Sequence, residues 1–164
     1  MAPRNTRYWR SFLHNLLCPP DVSSSETSYD GVCFFTLSGR VEYRDGCFQA
    51  SSSDASLEVD PLQILAIFHQ LARQAIQEER DAHQDPGATK RPISSLTPAL
   101  RLSGCVFHIV SATFSSIRAV ASGKYCGLIV EKLPFGVLVV GFSSPLRLEA
   151  IFGHIHHACT ALRR

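Results

Sequence analysis

The chain has 164 residues, of which 45% are hydrophobic and 18% charged. That is long enough for one domain with a substantial core and too apolar for a chain disordered throughout. A formal net charge of +2, with no block of Lys or Arg, excludes nucleic-acid or membrane binding by bulk electrostatics alone.

The first residues are polar and basic, with no apolar run of signal-peptide length, and no stretch is apolar enough to span a bilayer. The expectation is a soluble, intracellular protein. Cys18, Cys33, Cys47, Cys105, Cys126 and Cys159 are widely spaced and mostly flanked by apolar residues. Small buried core residues explain them better than a disulfide framework.

Thr6 to Leu17 reads as a short amphipathic helix with Trp9, Leu13, Leu16 and Leu17 near one stripe, ended by Pro19-Pro20. Trp9 and Phe12, three apart, share a face. Such a pair either plugs a core or offers a platform to a ligand. After a Ser-rich loop, Asp30-Gly31 opens a strand over Val32 to Leu37, which turns at Ser38-Gly39 and pairs back over Arg40 to Tyr43. Asp45-Gly46 makes a second turn, and Cys47 to Ala50 reads as a third short strand.

Asp60-Pro61 starts a helix, Asp being a good N-cap and Pro suiting the first helical position. Its expected apolar stripe is Leu62, Leu65, Ile67 or Phe68, Leu71, Ala72, Ala75 and Ile76. The charged stretch from Glu78 and the turn Pro86-Gly87 are read as an exposed loop over residues 78–98 within a single domain spanning residues 1–164. From Ala99 the pattern changes to strands: Leu100–Leu102, Cys105 to Ala112, Phe114 to Ala121, Lys124 to Leu133 and Phe135 to Phe142, joined by short turns. Short links between successive strands mean an antiparallel meander. Ser144-Pro145 starts a final helix with a wide apolar face, from Leu146 through Ile155 to Leu162. The sum is an α+β domain: a central antiparallel sheet, the terminal helices on one face and the middle helix on the other.

No catalytic constellation stands out. His154, His156, His157 and Cys159 lie on the last helix, but a metal site wants three or four converging ligands, so solvated or packed histidines are expected and no metal or cofactor. Ser103-Gly104-Cys105 and Gly123 to Gly127 precede strands, unlike phosphate-binding loops. Glu131-Lys132 reads as a hairpin cap. Cys126 as a nucleophile would need a His base nearby. The expectation is not an enzyme.

In the order of these elements the chain resembles profilin. Trp9-Arg10-Ser11-Phe12 stands where profilins carry Trp-x-x-Tyr, and Asp30-Gly31-Val32-Cys33-Phe34-Phe35 stands where they carry a turn and a strand with a second Trp. Leu100 to Phe142 follows the profilin sequence of turns and strands, and Leu162-Arg163-Arg164 is similar to the family's C-terminal end. The resemblance implies a cytoplasmic, cytoskeleton-associated protein that binds monomeric actin and proline-rich segments. It assigns the proline-rich ligand to Trp9, Phe12 and Phe34, and actin to Arg118 and Lys124. Isolated cations such as Arg10, Arg118 and Lys124 are candidates for phosphoinositides, against the commoner reading of a solvated surface. The chain departs from the family at several points. Phe12 replaces Tyr, Phe34 replaces Trp, and Ala161 stands where a His is expected. Val110 and Val120 stand at positions usually basic, and Phe142-Ser143-Ser144-Pro145 replaces a Gly-rich turn. The alternative from another class is a small α+β adaptor of longin-like or roadblock-like type. Full burial of Trp9 and Phe12 favours the adaptor, and their exposure favours the binding platform.

Overall fold

The computed structural model describes residues 6–17, 29–49, 57–84, 99–103, 105–121, 126–143 and 148–163. In chain order they form α1 (Thr6–Leu17), β1 (Gly31–Phe35), β2 (Val41–Arg44), α2 (Pro61–Gln84), β3 (Ala99–Leu102), β4 (Cys105–Ala112), β5 (Ser116–Ala121), β6 (Cys126–Leu133), β7 (Gly136–Ser143) and α3 (Leu148–Leu162). The seven strands make one antiparallel sheet in the order β2-β1-β7-β6-β5-β4-β3. Each strand from β3 to β7 pairs with the next, and β1 then joins β7 and carries β2 at the edge.

Strand alternation builds a core on each side of the sheet. On one side Cys33, Phe35, Leu128, Val130, Val137 and Val139 pack with Ile64, Ile67 and Phe68 of α2. On the other Val32, Phe34, Ile129, Leu133, Leu138 and Val140 pack with Leu13 of α1 and Ile151, Ile155 and Cys159 of α3. The terminal helices therefore share a face and the middle helix covers the opposite one. Burying a Phe, Leu or Ile fully contributes roughly 1.5–3 kcal/mol, so the two layers outweigh any single surface contact.

Four expectations change. Leu62 and Ile76 are exposed, by 68% and 53%, while Leu65, Ile67, Phe68 and Leu71 face the core as expected and Ile64 joins them. Asp60 caps the helix, its Oδ1 accepting from the N–H groups of Leu62 and Gln63. Ile64 stands three, four and seven residues before Ile67, Phe68 and Leu71, the spacing of one helix face, and Leu62 does not. The segment from Glu78 to Gln84 is helix, and only residues 85–98 of the expected loop lie outside the described residues. Its charges are a solvated helix surface, with Gln77 Nε2 donating to Asp81 Oδ1 one turn on. Gly46–Phe48 is a 3₁₀ turn where a strand was expected. Gly46 has φ +56°, and a Cβ there would lie 2.0 Å from the Asp30 carbonyl oxygen, so only glycine permits this approach. Leu37 and Phe114 fall in turns outside β1 and β5, exposed by 45% and 62%.

Candidate functional site

Five aromatic rings gather where α1 crosses β1 and the β6–β7 turn. Trp9 stacks on Phe34 with centroids 4.4 Å apart and planes 27° apart. Phe12 meets Trp9 edge-on at 6.0 Å and Phe135 at 6.4 Å. Phe135 sits 5.8 Å from Phe34, and Tyr8 lies beside both Trp9 and Phe12 at 5.7 and 6.2 Å. The group is graded in depth. Phe34 is buried, Trp9 and Phe12 are half-buried, and Tyr8 and Phe135 are exposed. Leu13, one residue past Phe12, points into the core and anchors the helix. The result is a ledge: an apolar shelf fixed from below, with ring surface left uncovered on Trp9, Phe12, Tyr8 and Phe135.

The depth of Phe34 depends on Gly136, the first residue of β7. A Cβ there would lie 2.4 Å from Phe34 Cζ and 2.6 Å from the Phe35 carbonyl oxygen. Asp45 ties the start of β1 to β2. Its Oδ1 accepts from the Val32 N–H at 2.8 Å and its Oδ2 from the Tyr43 hydroxyl at 2.7 Å. Burial and that bond to a carboxylate push the Tyr43 phenol up to about 12.

Arg118 of β5 lies on the same side of the sheet as α3, its guanidinium 4.2 Å from the centre of the Phe152 ring. His156 stacks on the same Phe152 ring with centroids 5.0 Å apart. Beyond it, Glu131 of β6 is fully buried and holds three donors: Ser116 Oγ at 2.8 Å, His156 Nδ1 at 3.1 Å and Arg163 Nη2 at 2.5 Å. Arg163 also donates to the carbonyls of Lys132 and Ser115. One side chain thus ties the end of α3 to β6 and to the turn before β5. Glu131 is a buried anchor rather than a hairpin cap.

No protein-family model and no curated protein matches the sequence. Solved structures do match the fold. The chain superposes on LokiProfilin2 from its complex with rabbit actin with a TM-score of 0.57, at 12% identity over 94% of this chain and 95% of that one. Acanthamoeba castellanii profilin IA gives 0.55 at 15% identity over 94% and 95%. Mouse profilin IIa, solved with a double repeat from the FH1 domain of mDia1, gives 0.53 at 13% identity over 94% and 96%.

The chain is profilin-like in fold. Within this profilin-like frame the structure brings Trp9, Phe12 and Phe34 together, and adds Tyr8 and Phe135, which sequence reasoning missed. Tyr8 stands four before Phe12, the spacing of helix neighbours, and Phe135 follows Pro134 in a tight turn. Phe34 is 1% exposed, so it supports Trp9 and offers no surface of its own. Arg118 is on the α3 side of the sheet with Val120, Val110 is the exposed residue at the irregularity between Ile109 and Ser111 of β4, and Lys124 lies outside the described residues. Ala161 is exposed where the family has a His. Arg10 is exposed on α1.

The remaining reactive side chains serve the core. Burial pushes the thiols of Cys33, Cys47 and Cys159 up to about 12, leaving them neutral and weakly nucleophilic near pH 7. Among the described residues no group of three or more metal-ligating side chains converges, and His156 is engaged with Glu131 and Phe152. No helix among them is long and apolar enough to cross a membrane.

Proposed function

We propose that this protein is a non-enzymatic, profilin-like binding module whose aromatic ledge takes proline-rich segments. The observation that carries the reading is Trp9 stacked on buried Phe34 at 4.4 Å while its own ring stays only partly covered, flanked by Phe12, Tyr8 and Phe135. A polyproline II segment is already extended and apolar, so rigid ring surface binds it at small ordering cost. Phe12 and Phe34 carry no polar atom, and the hydrogen-bond donors of the ledge belong to Trp9 and Tyr8. The half-exposed state of Trp9 and Phe12 favours this reading over the adaptor alternative. Calorimetric titration of a proline-rich peptide tests it. Binding by the unaltered protein is expected to vanish in Trp9→Ala and to weaken about tenfold in Phe135→Ala, the scale of an interface aromatic. Equal affinity in all three proteins would overturn the assignment.

A second face is proposed for monomeric actin. Arg118 held over Phe152 supports it, together with Val120, two residues on along the same face of β5, and the exposed Val110 of β4. Two of the similar folds are profilins solved with rabbit actin, which supports actin as the class of partner for this face. With valines at positions where the resemblance expects basic residues, contact here rests on apolar surface around one guanidinium. Soluble, cytoskeleton-associated action in the cytoplasm follows from this proposal.

A further inference from the structure

Phe135 belongs to the loop that joins β6 to β7, and the backbone of that loop is held from outside the hairpin. Leu133 and Gly136 are its closing pair, so Pro134 and Phe135 are the two residues between them. Proline fixes its own φ at a negative value, and Phe135 has no positive φ either. The two-residue loops whose twist matches their strands need a positive φ at one or both of these positions. The Pro134–Phe135 loop therefore works against the twist of β6 and β7 and depends on other contacts. Lys132 stands one residue past the last β5–β6 pair, Ser116–Glu131. Its N–H still reaches the Ser115 carbonyl at 2.8 Å. Its carbonyl lies beyond that ladder and accepts from Arg163 Nε at 2.9 Å. Arg163 Nη2 donates to the same Ser115 carbonyl at 3.0 Å and to Glu131 Oε2. One guanidinium at the end of α3 takes the place of the next rung between β5 and β6.

We propose that Arg163 is a positioning residue for the proline-rich ligand, setting Phe135 against the ledge through the loop it clamps. The inference rests on the reading of the ledge given above. Phe135 is 43% exposed and meets its neighbours at 6.4 Å from Phe12 and 5.8 Å from Phe34, edge-on and tilted. Ring pairs of that kind add little beyond the area they cover, so the place of Phe135 is inherited from its backbone. Only Leu133 and Pro134 stand between the clamped Lys132 carbonyl and Phe135. Leu133 is buried in the core shared with α3, and Pro134 has little freedom in φ, so the clamp is passed on stiffly. In this way α3 reaches the ligand site without placing a ring of its own there.

The test is a double-mutant cycle between Arg163 and Phe135, read by calorimetry with a proline-rich peptide. Nuclear Overhauser contacts of the Phe135 ring are read alongside it in the free protein. Arg163→Ala is expected to weaken binding about threefold to tenfold, up to the scale of losing the interface aromatic itself, and to weaken the contacts of Phe135 with Phe12 and Phe34. In the Phe135→Ala background, removing Arg163 is expected to change affinity no further. Ile64→Ala opens a cavity beneath α2 on the opposite face of the sheet, loses comparable stability, and is expected to leave both readouts unchanged. Arg163→Lys carries one nitrogen where Nε and Nη2 act separately. It keeps a cation beside Glu131, gives up the bond to Lys132, and is expected to displace Phe135 likewise should the alanine variant fold poorly. Full affinity in Arg163→Ala, an equal loss with and without Phe135, or the same loss in Ile64→Ala would each overturn the inference. Absence of binding by the unaltered protein would fail the reading of the ledge instead. The ring contacts then decide the positioning, and contacts unchanged in Arg163→Ala would overturn it.

Discussion

Replacing Arg163 by alanine removes one side chain and four roles. The guanidinium holds Glu131 at 2.5 Å, caps the carbonyls of Lys132 and Ser115, and fixes the end of α3. Glu131 is fully buried and Arg163 is 20% exposed, so water does not replace the lost partner freely. Breaking a buried pair by deleting one member costs about 3–5 kcal/mol. Ser116 and His156 remain as donors to Glu131, which places the loss near the lower end, about 3 kcal/mol. For a chain of this size that is a fall in Tm of about 6–12 °C. Urea unfolding followed by circular dichroism measures it. The double variant Arg163→Ala/Glu131→Gln is expected to recover part of the loss, because the stranded charge is gone. A loss under about 1 kcal/mol for Arg163→Ala, or no recovery in the double variant, would refute the reading of Glu131 as a charge anchored by Arg163.

Other predictions follow from the same geometry. Gly136→Ala forces a methyl into Phe34 and the Phe35 carbonyl, and is expected to cost about 1–3 kcal/mol and to shift Trp9 emission through its stacked partner. Tyr43 is expected to ionise near pH 12 by ultraviolet titration, and Asp45→Asn to bring it back toward its ordinary value. Because the folded phenol sits above its unfolded value of 10, this group stabilises the fold below about pH 10 and loses that contribution as pH rises toward 12. Arg118→Glu is expected to weaken capture of monomeric actin, with only slight dependence on salt in the unaltered protein. Full retention of affinity in that variant would place the interface elsewhere.

The sequence carried the fold through its periodicities. Alternation in Cys105 to Ala112 and the apolar pair β6 and β7 announced the meander, and Asp60-Pro61 marked the start of α2. Trp9 and Phe12 at spacing three announced the ledge. Other features depended on contacts that no local pattern encodes. Cys47 and Phe48 looked like a strand because a positive φ at Gly46 is invisible in composition. Glu131 read as a turn charge because its partners, Ser116, His156 and Arg163, stand 15, 25 and 32 residues away. Tyr8 and Phe135 escaped notice because one is an exposed helix residue and the other belongs to a turn.

Trp9 is the single tryptophan of the chain, so its emission reports on the ledge alone. Titration of the folded protein with a polyproline peptide, against a glycine-serine peptide of equal length, is the most direct test of the account. A saturable shift with polyproline and none with the control is the predicted result. An unchanged spectrum with both, in protein shown to be folded by circular dichroism, would contradict it.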